Sequence, residues 1–331
     1  MAKERLWCIL GYEKRNYRTK KYMFQSTIPV FLRFFLVGFI AAAAPAGKLV
    51  QPQPIEYDQP RRLGVLADNE INESSGLARS LLNPDAFWTH NDSGDIPRLF
   101  LINREGRTLA TFVIEGAQAV DWEDIASFRR GTRSYLLIGD IGDNSSERST
   151  CTLYVVPEPR ISKNSQEHVD NLRPSITISF TYEDGPHDCE SLAVDPINEM
   201  VYLVSKEDGG DCRVYELSLP KEQVTKPLIA RTIATLKIFK ATAMDISSDG
   251  FRAIVLTYLN AYEYVRGTDK TWAETFARPG RVLTMPLRQQ GESICYGTDG
   301  KTLYLTSEGV SQPLWEVPIA SDNEHAQLGG R

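Results

Sequence analysis

The 331 residues are 24% charged and 42% hydrophobic, enough apolar material to bury a sizeable core and too much for a disordered chain. The net charge of −6 is unevenly spread: residues 1–46 hold eight Lys or Arg against two Asp or Glu, leaving about −12 on the remainder. An acidic body argues against nucleic acid as a partner, because phosphate backbones are held mainly by Lys and Arg.

Lys20 and Lys21 precede an apolar run from Ile28 to Ala44, broken by Pro29, Arg33 and Gly38, and Ala42, Ala44 and Ala46 supply a small-x-small pattern. Residues 1–46 therefore read as a signal peptide, with Met23 an alternative start, and the body is expected in the periplasm or outside the cell. The alternative is an uncleaved N-terminal anchor, through which alone the body would touch a membrane. Residues 47–61, rich in Pro and Gln, read as a linker.

Five short segments then resemble one another: Glu73-Ser74-Ser75-Gly76-Leu77-Ala78, Glu123-Asp124-Ile125-Ala126, Glu190-Ser191-Leu192-Ala193-Val194, Thr242-Ala243-Met244-Asp245-Ile246 and Glu292-Ser293-Ile294-Cys295-Tyr296. They are spaced by 50, 67, 52 and 50 residues. Such a period with strand chemistry predicts an all-β chain, a single β-propeller over residues 62–318 with four-stranded antiparallel blades. Residues 319–331 are left as a C-terminal tail.

The first unit is expected to have strands at 76–79, 86–90, 98–102 and 109–114, separated by Asn, Asp and Gly turns that accept positive φ. The second has strands at 124–128, 135–140, 152–156 and 176–182, with a polar insertion at 160–171. The third has 192–195, 201–205, 213–217 and 229–236. The fourth has 244–246, 253–257, 261–265 and 282–285, with Trp272–Phe276 inserted as a helical turn. The last unit shows three strands, at 293–296, 302–306 and 314–317. Arg62–Leu66 supplies its fourth, closing the ring and removing exposed edges. The count is five blades; six remains the alternative if residues 157–187 hold further strands.

In this fold the heads of the innermost strands and the loops after the second strands open on one face. The first set is Glu73, Glu123, Glu190, Thr242 and Glu292, with Asp121 and Asp188 two positions upstream. The second set runs His90 to Asp95, Asp140 to Asn144, Lys206-Glu207-Asp208, Tyr258 to Asn260 and Ser307-Glu308. Carboxylates so crowded repel unless a cation joins them. Asp92, Asp121, Glu123, Asp140 and Glu190 are the expected ligands of a divalent metal, and calcium suits oxygen donors from several irregular loops. The other reading makes Glu73, Glu190 and Glu292 an architectural device of the repeat, and the acidic turns only turns.

His90, Glu123 and His187 are the candidate catalytic groups, the histidines because their pKa lies near neutrality. Lys206 and Lys240 add positive charge at the rim. Cys189 and Cys212 are the candidate disulfide, with two buried free thiols as the alternative, and Cys295 falls in the core. No GxSxG elbow, P-loop or HExxH is present.

Glu73-Ser74-Ser75-Gly76-Leu77-Ala78 followed by Trp88-Thr89-His90-Asn91-Asp92-Ser93-Gly94-Asp95 resembles exported bacterial propellers of the phytase-like and TolB-like, gluconolactonase-related group. That group is described as six-bladed, from which a count of five departs. Its calcium-dependent phytases combine acidic metal ligands with basic phosphate ligands; here basic residues are scarce. The resemblance implies a hydrolase of phosphoester, ester or lactone substrates. The competing expectation is a non-catalytic propeller that binds a small-molecule or protein ligand at the acidic mouth, with structural calcium.

Overall fold

A computed structural model of the protein describes residues 51–162 and 168–321. The expected signal or anchor segment, the last ten residues and part of the polar insertion lie outside the described residues. No helix among the described residues is long and apolar enough to cross a membrane.

The described chain is nearly all β. In order, the strands are β1 (Arg61–Val65), β2 (Ser74–Arg79), β3 (Ala86–Asn91), β4 (Arg98–Asn103), β5 (Thr108–Ile114), β6 (Trp122–Arg130), β7 (Arg133–Asp140) and β8 (Cys151–Pro157). There follow β9 (His168–Leu172), β10 (Ile176–Tyr182), β11 (Cys189–Asp195), β12 (Met200–Ser205), β13 (Cys212–Ser218), β14 (Leu228–Leu236), β15 (Ala241–Ile246), β16 (Arg252–Thr257) and β17 (Asn260–Val265). After the short helix α1 (Trp272–Phe276) come β18 (Arg281–Thr284), β19 (Gly291–Tyr296), β20 (Leu303–Ser307) and β21 (Pro313–Val317).

The strands pair in groups of four: β2-β3-β4-β5, β6-β7-β8-β10, β11-β12-β13-β14, β15-β16-β17-β18 and β19-β20-β21-β1. We call these the first to fifth sheets. In the fifth, β1 lies antiparallel to β21, with Arg62 opposite Trp315. Two pairings were not expected from sequence: β9 adds to the outer edge of β5 in parallel, and β10 pairs in parallel with β14, joining the second and third sheets. Both cover outer strand edges that would otherwise present unpaired backbone.

The first strands of the sheets touch in cyclic order, β2 with β6, β6 with β11, β11 with β15, β15 with β19, and β19 with β2. This is a β-propeller arrangement. Burial follows it. The inner strands β2, β11 and β19 are buried along almost their whole length, whereas the outer strand β10 alternates buried and half-buried residues, as a strand with one covered face must.

Apolar side chains fill the wedges between neighbouring sheets. Trp88, Phe112, Trp122 and Tyr154 form one between the first and second. Leu77, Phe87, Phe100, Cys295 and Leu314 form another between the first and fifth. Between the third and fourth sheets, α1 inserts Trp272 and Phe276; its start is fixed by a capping box in which Thr271 and Glu274 exchange backbone bonds.

Two aspartates, Asp124 buried and Asp245 half-buried, stitch inner strands together. Asp124 Oδ2 accepts from Leu192 N at 2.8 Å on β11 and from Met244 N at 3.0 Å on β15. Asp245 Oδ2 accepts from Tyr296 N at 2.8 Å on β19. Residues 51–60, expected as a linker, are tied to the fourth sheet: Tyr57 donates to Glu263 at 2.8 Å, and Arg252 donates to Gln53 O at 2.7 Å.

Candidate metal centre at the axial mouth

Each inner strand carries a one-residue bulge at its first turn of pairing. The register slips between Ser74 and Gly76, Trp122 and Asp124, Cys189 and Ser191, Ala241 and Ala243, and Gly291 and Ser293. The residues left unpaired are Ser75, Glu123, Glu190, Thr242 and Glu292. A bulge re-aims one side chain without ending the strand, and here it does so five times at one level. The register corrects the sequence alignment: Ser75, not Glu73, stands level with Glu123.

Glu73 instead lies level with Asp121 and Asp188, two positions upstream of the bulges. Their carbonyls accept the backbone N–H of the facing loops: Asp92 N to Glu73 O at 2.9 Å, Ile141 N to Asp121 O at 3.1 Å, and Lys206 N to Asp188 O at 2.9 Å. In the fifth sheet Glu308 N bonds Gln290 O at 3.2 Å in the same way. Asp92, Lys206 and Glu308 thus form a third level around the same axis.

Three overlapping groups of carboxylates result: Glu73 with Asp92 and Glu308, Asp92 with Asp121 and Glu123, and Glu123 with Asp188 and Glu190. Within each group one oxygen per residue lies within 4.8 Å of the others. The expected ligands Asp92, Asp121, Glu123 and Glu190 are therefore brought together. Asp188, Glu308 and Glu73, outside the expected ligand set, join them; the signal for Asp188 was its place two residues before a bulge, shared with Asp121.

The electrostatics are severe. Burial, then Asp92 and Asp188, push Asp121 up to about 7. Burial, then Glu190, hold Glu123 well above the carboxylate range. Burial and Glu292 raise Glu190 to about 9; burial and Glu308 raise Glu292 to about 8; burial and Asp92 raise Glu308 to about 7. Lys206 donates to Glu190 Oε1, and its amine is held above its usual range by Glu190 although burial opposes its charge. Glu190 Oε2 and Glu292 Oε2 are buried with no hydrogen-bond partner among the described residues.

The site is preformed by its loops. Asp143 N donates to Asp188 Oδ1 at 2.9 Å, which folds the loop after β7 against the third sheet. Gly142 leaves room for the acids: a Cβ there would stand 2.2 Å from Glu123 Oε1 and 2.6 Å from the Asp121 carboxylate, and both side chains would have to move. Asn91 accepts from Glu73 N at 3.1 Å and donates to Asp95 at 2.8 Å, fixing the first sheet's loop.

Other expected site residues are elsewhere. Asp140 is buried in an ion pair with Arg148 at 2.7 Å and accepts from Asp121 N at 3.2 Å; it supports the loop and does not join the acid groups. His90 is wholly buried, edge-on to Trp122, with Nδ1 2.9 Å from Asn91 O. Burial pushes its pKa down to about 4, against the raising effect of the Asn91 and Asp124 carbonyls. His187 lies 3.1 Å from Asp184 and 2.9 Å from Arg213, packed on Tyr182 and Tyr215. Cys189 and Cys212 are separate buried thiols, facing Val204 O and Ile238 O, so no disulfide joins them.

No protein-family model and no curated protein matches the chain. Among solved structures, a gluconolactonase from Xanthomonas campestris aligns at 12% identity over 82% of this chain and 100% of its own, with a TM-score of 0.42. A luciferin-regenerating enzyme aligns at 8% identity over 80% of this chain and 97% of its own, with a TM-score of 0.44.

Proposed function

We propose that the chain is an exported five-bladed propeller, closed by β1, whose mouth binds a divalent cation and hydrolyses an ester, lactone or phosphoester there. One observation supports this above the rest: buried Glu190 Oε2 and Glu292 Oε2 have no hydrogen-bond partner among the described residues, in a ring where Lys206 donates to Glu190 Oε1. Buried carboxylates with only part of their charge and hydrogen bonding satisfied are costly, and a cation reduces the cost. Glu123, Glu190, Asp92, Asp121 and Asp188 are the oxygen donors that would hold it, and their irregular loops favour calcium over magnesium, which demands near-octahedral geometry.

A divalent cation supplies a Lewis acid that polarises a carbonyl or phosphoryl oxygen. The chain supplies the rest. Glu308, half-buried and raised to about 7 in the metal-free ring, is poised to take a proton near neutral pH. Lys206, fixed by Glu190, places positive charge on the side toward Tyr258. A second reading, a non-catalytic calcium-stabilised binding module, is favoured by the histidines: one is buried and the other is engaged by Asp184 and Arg213.

Hydrolysis of phosphoester, ester and lactone probes, with calcium and with a chelator, tests the proposal. Activity that needs calcium and falls at least a hundredfold in Glu123→Gln supports the hydrolase. Calcium binding without turnover of any probe supports the binding module.

A further inference from the structure

Among the described residues, eleven large apolar side chains are exposed, and six of them, Ile96, Val120, Phe239, Leu259, Leu287 and Val310, sit in loops on the acidic mouth. Val169, Ile229 and Val282 lie on outer strands, and Ile197 and Ile319 lie toward the opposite end. Isolated exposed apolar residues are ordinary; their collection at one face is not. Val120 adjoins Asp121, Phe239 adjoins Lys240, and Leu259 adjoins Tyr258, so the apolar groups flank the ring residues directly.

The mouth is also lopsided. At the levels where other sheets carry carboxylates, the fourth sheet carries Thr242, Lys240 and Tyr258. The Tyr258 ring has Lys206 Nζ at 5.4 Å and Lys240 Nζ at 5.8 Å from its centroid. Phe239, Leu259 and Leu287, exposed by 63%, 71% and 96%, lie in the loops before, within and after this sheet. Among the described residues the fourth sheet alone carries no carboxylate at these levels, and three of the six exposed apolar side chains of the mouth lie in its loops.

We propose that Phe239, Leu259 and Leu287, with Tyr258, form the bed for the apolar body of an amphiphilic carbonyl substrate, an acyl ester or alkyl lactone, whose polar head lies at the acid ring. The inference rests on the reading of that ring as a cation site. A small amphiphile fits the arrangement, because its head meets the cation while its chain runs over the one sheet that, among the described residues, carries no carboxylate at the levels of the acid ring. An anionic lipid surface would meet uncompensated carboxylates around most of the rim.

The test uses straight-chain carboxylates from butanoate to decanoate, titrated calorimetrically into the calcium-loaded protein, independently of turnover. Affinity is expected to rise two- to fourfold per added methylene, the upper figure being about that of full burial. The double variant Leu259→Ser, Leu287→Ser should flatten that rise while calcium still raises its Tm. Calcium binding with no carboxylate binding, no chain-length dependence or an unchanged slope in the variant overturns this inference and leaves the cation site standing. Absence of calcium binding overturns both.

Discussion

Ser75 Oγ donates to Glu123 Oε2 across 3.2 Å, a hydroxyl standing at the bulge position where the second, third and fifth sheets carry a glutamate. The contact joins the first and second sheets at the most crowded point of the ring, and it fixes the Glu123 carboxylate. Removing the donor in Ser75→Ala should leave the fold intact and weaken calcium binding by about tenfold or more, the effect of losing one hydrogen bond to a charged group. Calorimetric titration of both proteins reads it.

Glu123→Gln separates the cost of the ring from its use. Glu123 is buried and its ionised form is disfavoured by burial and by Glu190, so the neutral isostere should raise the Tm of the chelated protein. The same change should shrink the calcium-induced rise in Tm, because a ligand stabilises by RT times the logarithm of its concentration over Kd and each tenfold loss of affinity removes about 1.4 kcal/mol of it. Paired thermal melts with chelator and with calcium show both effects.

The pH dependence follows from the direction of the shifts. Asp121 and Glu308 at about 7, Glu292 at about 8 and Glu190 at about 9 all have folded pKa values above their unfolded ones. Their contribution is fully present below the unfolded carboxylate pKa and is lost as pH rises through these folded values. Chelated protein should therefore melt at lower temperature at pH 9 than at pH 5.5, and calcium should remove most of that slope.

Asp124 has a different task. Its carboxylate accepts from Leu192 N, Met244 N and its neighbour Ile125 N, so it binds three inner strands at the centre of the ring. Asp124→Ala leaves those buried donors without a partner and should cost about 3 kcal/mol or more. Asp124→Asn, which keeps an acceptor for the two cross-strand donors, should cost less. Chemical denaturation of the two variants measures the difference.

Much of this architecture was legible in the sequence, because strand alternation and Asn, Asp and Gly turns are local signals. The inner strands β6, β11, β15 and β19 each fell on their repeat, and Trp272–Phe276 was expected as a helical turn and is α1. The alignment of Glu73 with Glu123 failed for a physical reason. Matching one glutamate to another set the first unit two residues out of step, and only strand pairing reveals that Ser75 takes the level position. His90 was misplaced in the same way: its loop reaches the mouth, but its side chain points into the wedge against Trp122. The partner of Asp140, Arg148, lies beyond a turn whose path no sequence period describes. Strand β9 gave no signal, since His168–Leu172 shows no apolar alternation and is held by the edge of β5.

Calcium titration of the chelated protein at pH 7.5, run calorimetrically in two buffers of different ionisation enthalpy, bears most directly on the acid ring. Carboxylates raised to between about 7 and 9 must lose protons when a cation enters. Saturable binding with a buffer-dependent heat, showing net proton release, is the predicted result. No binding at millimolar calcium, or binding whose heat is the same in both buffers, would contradict it.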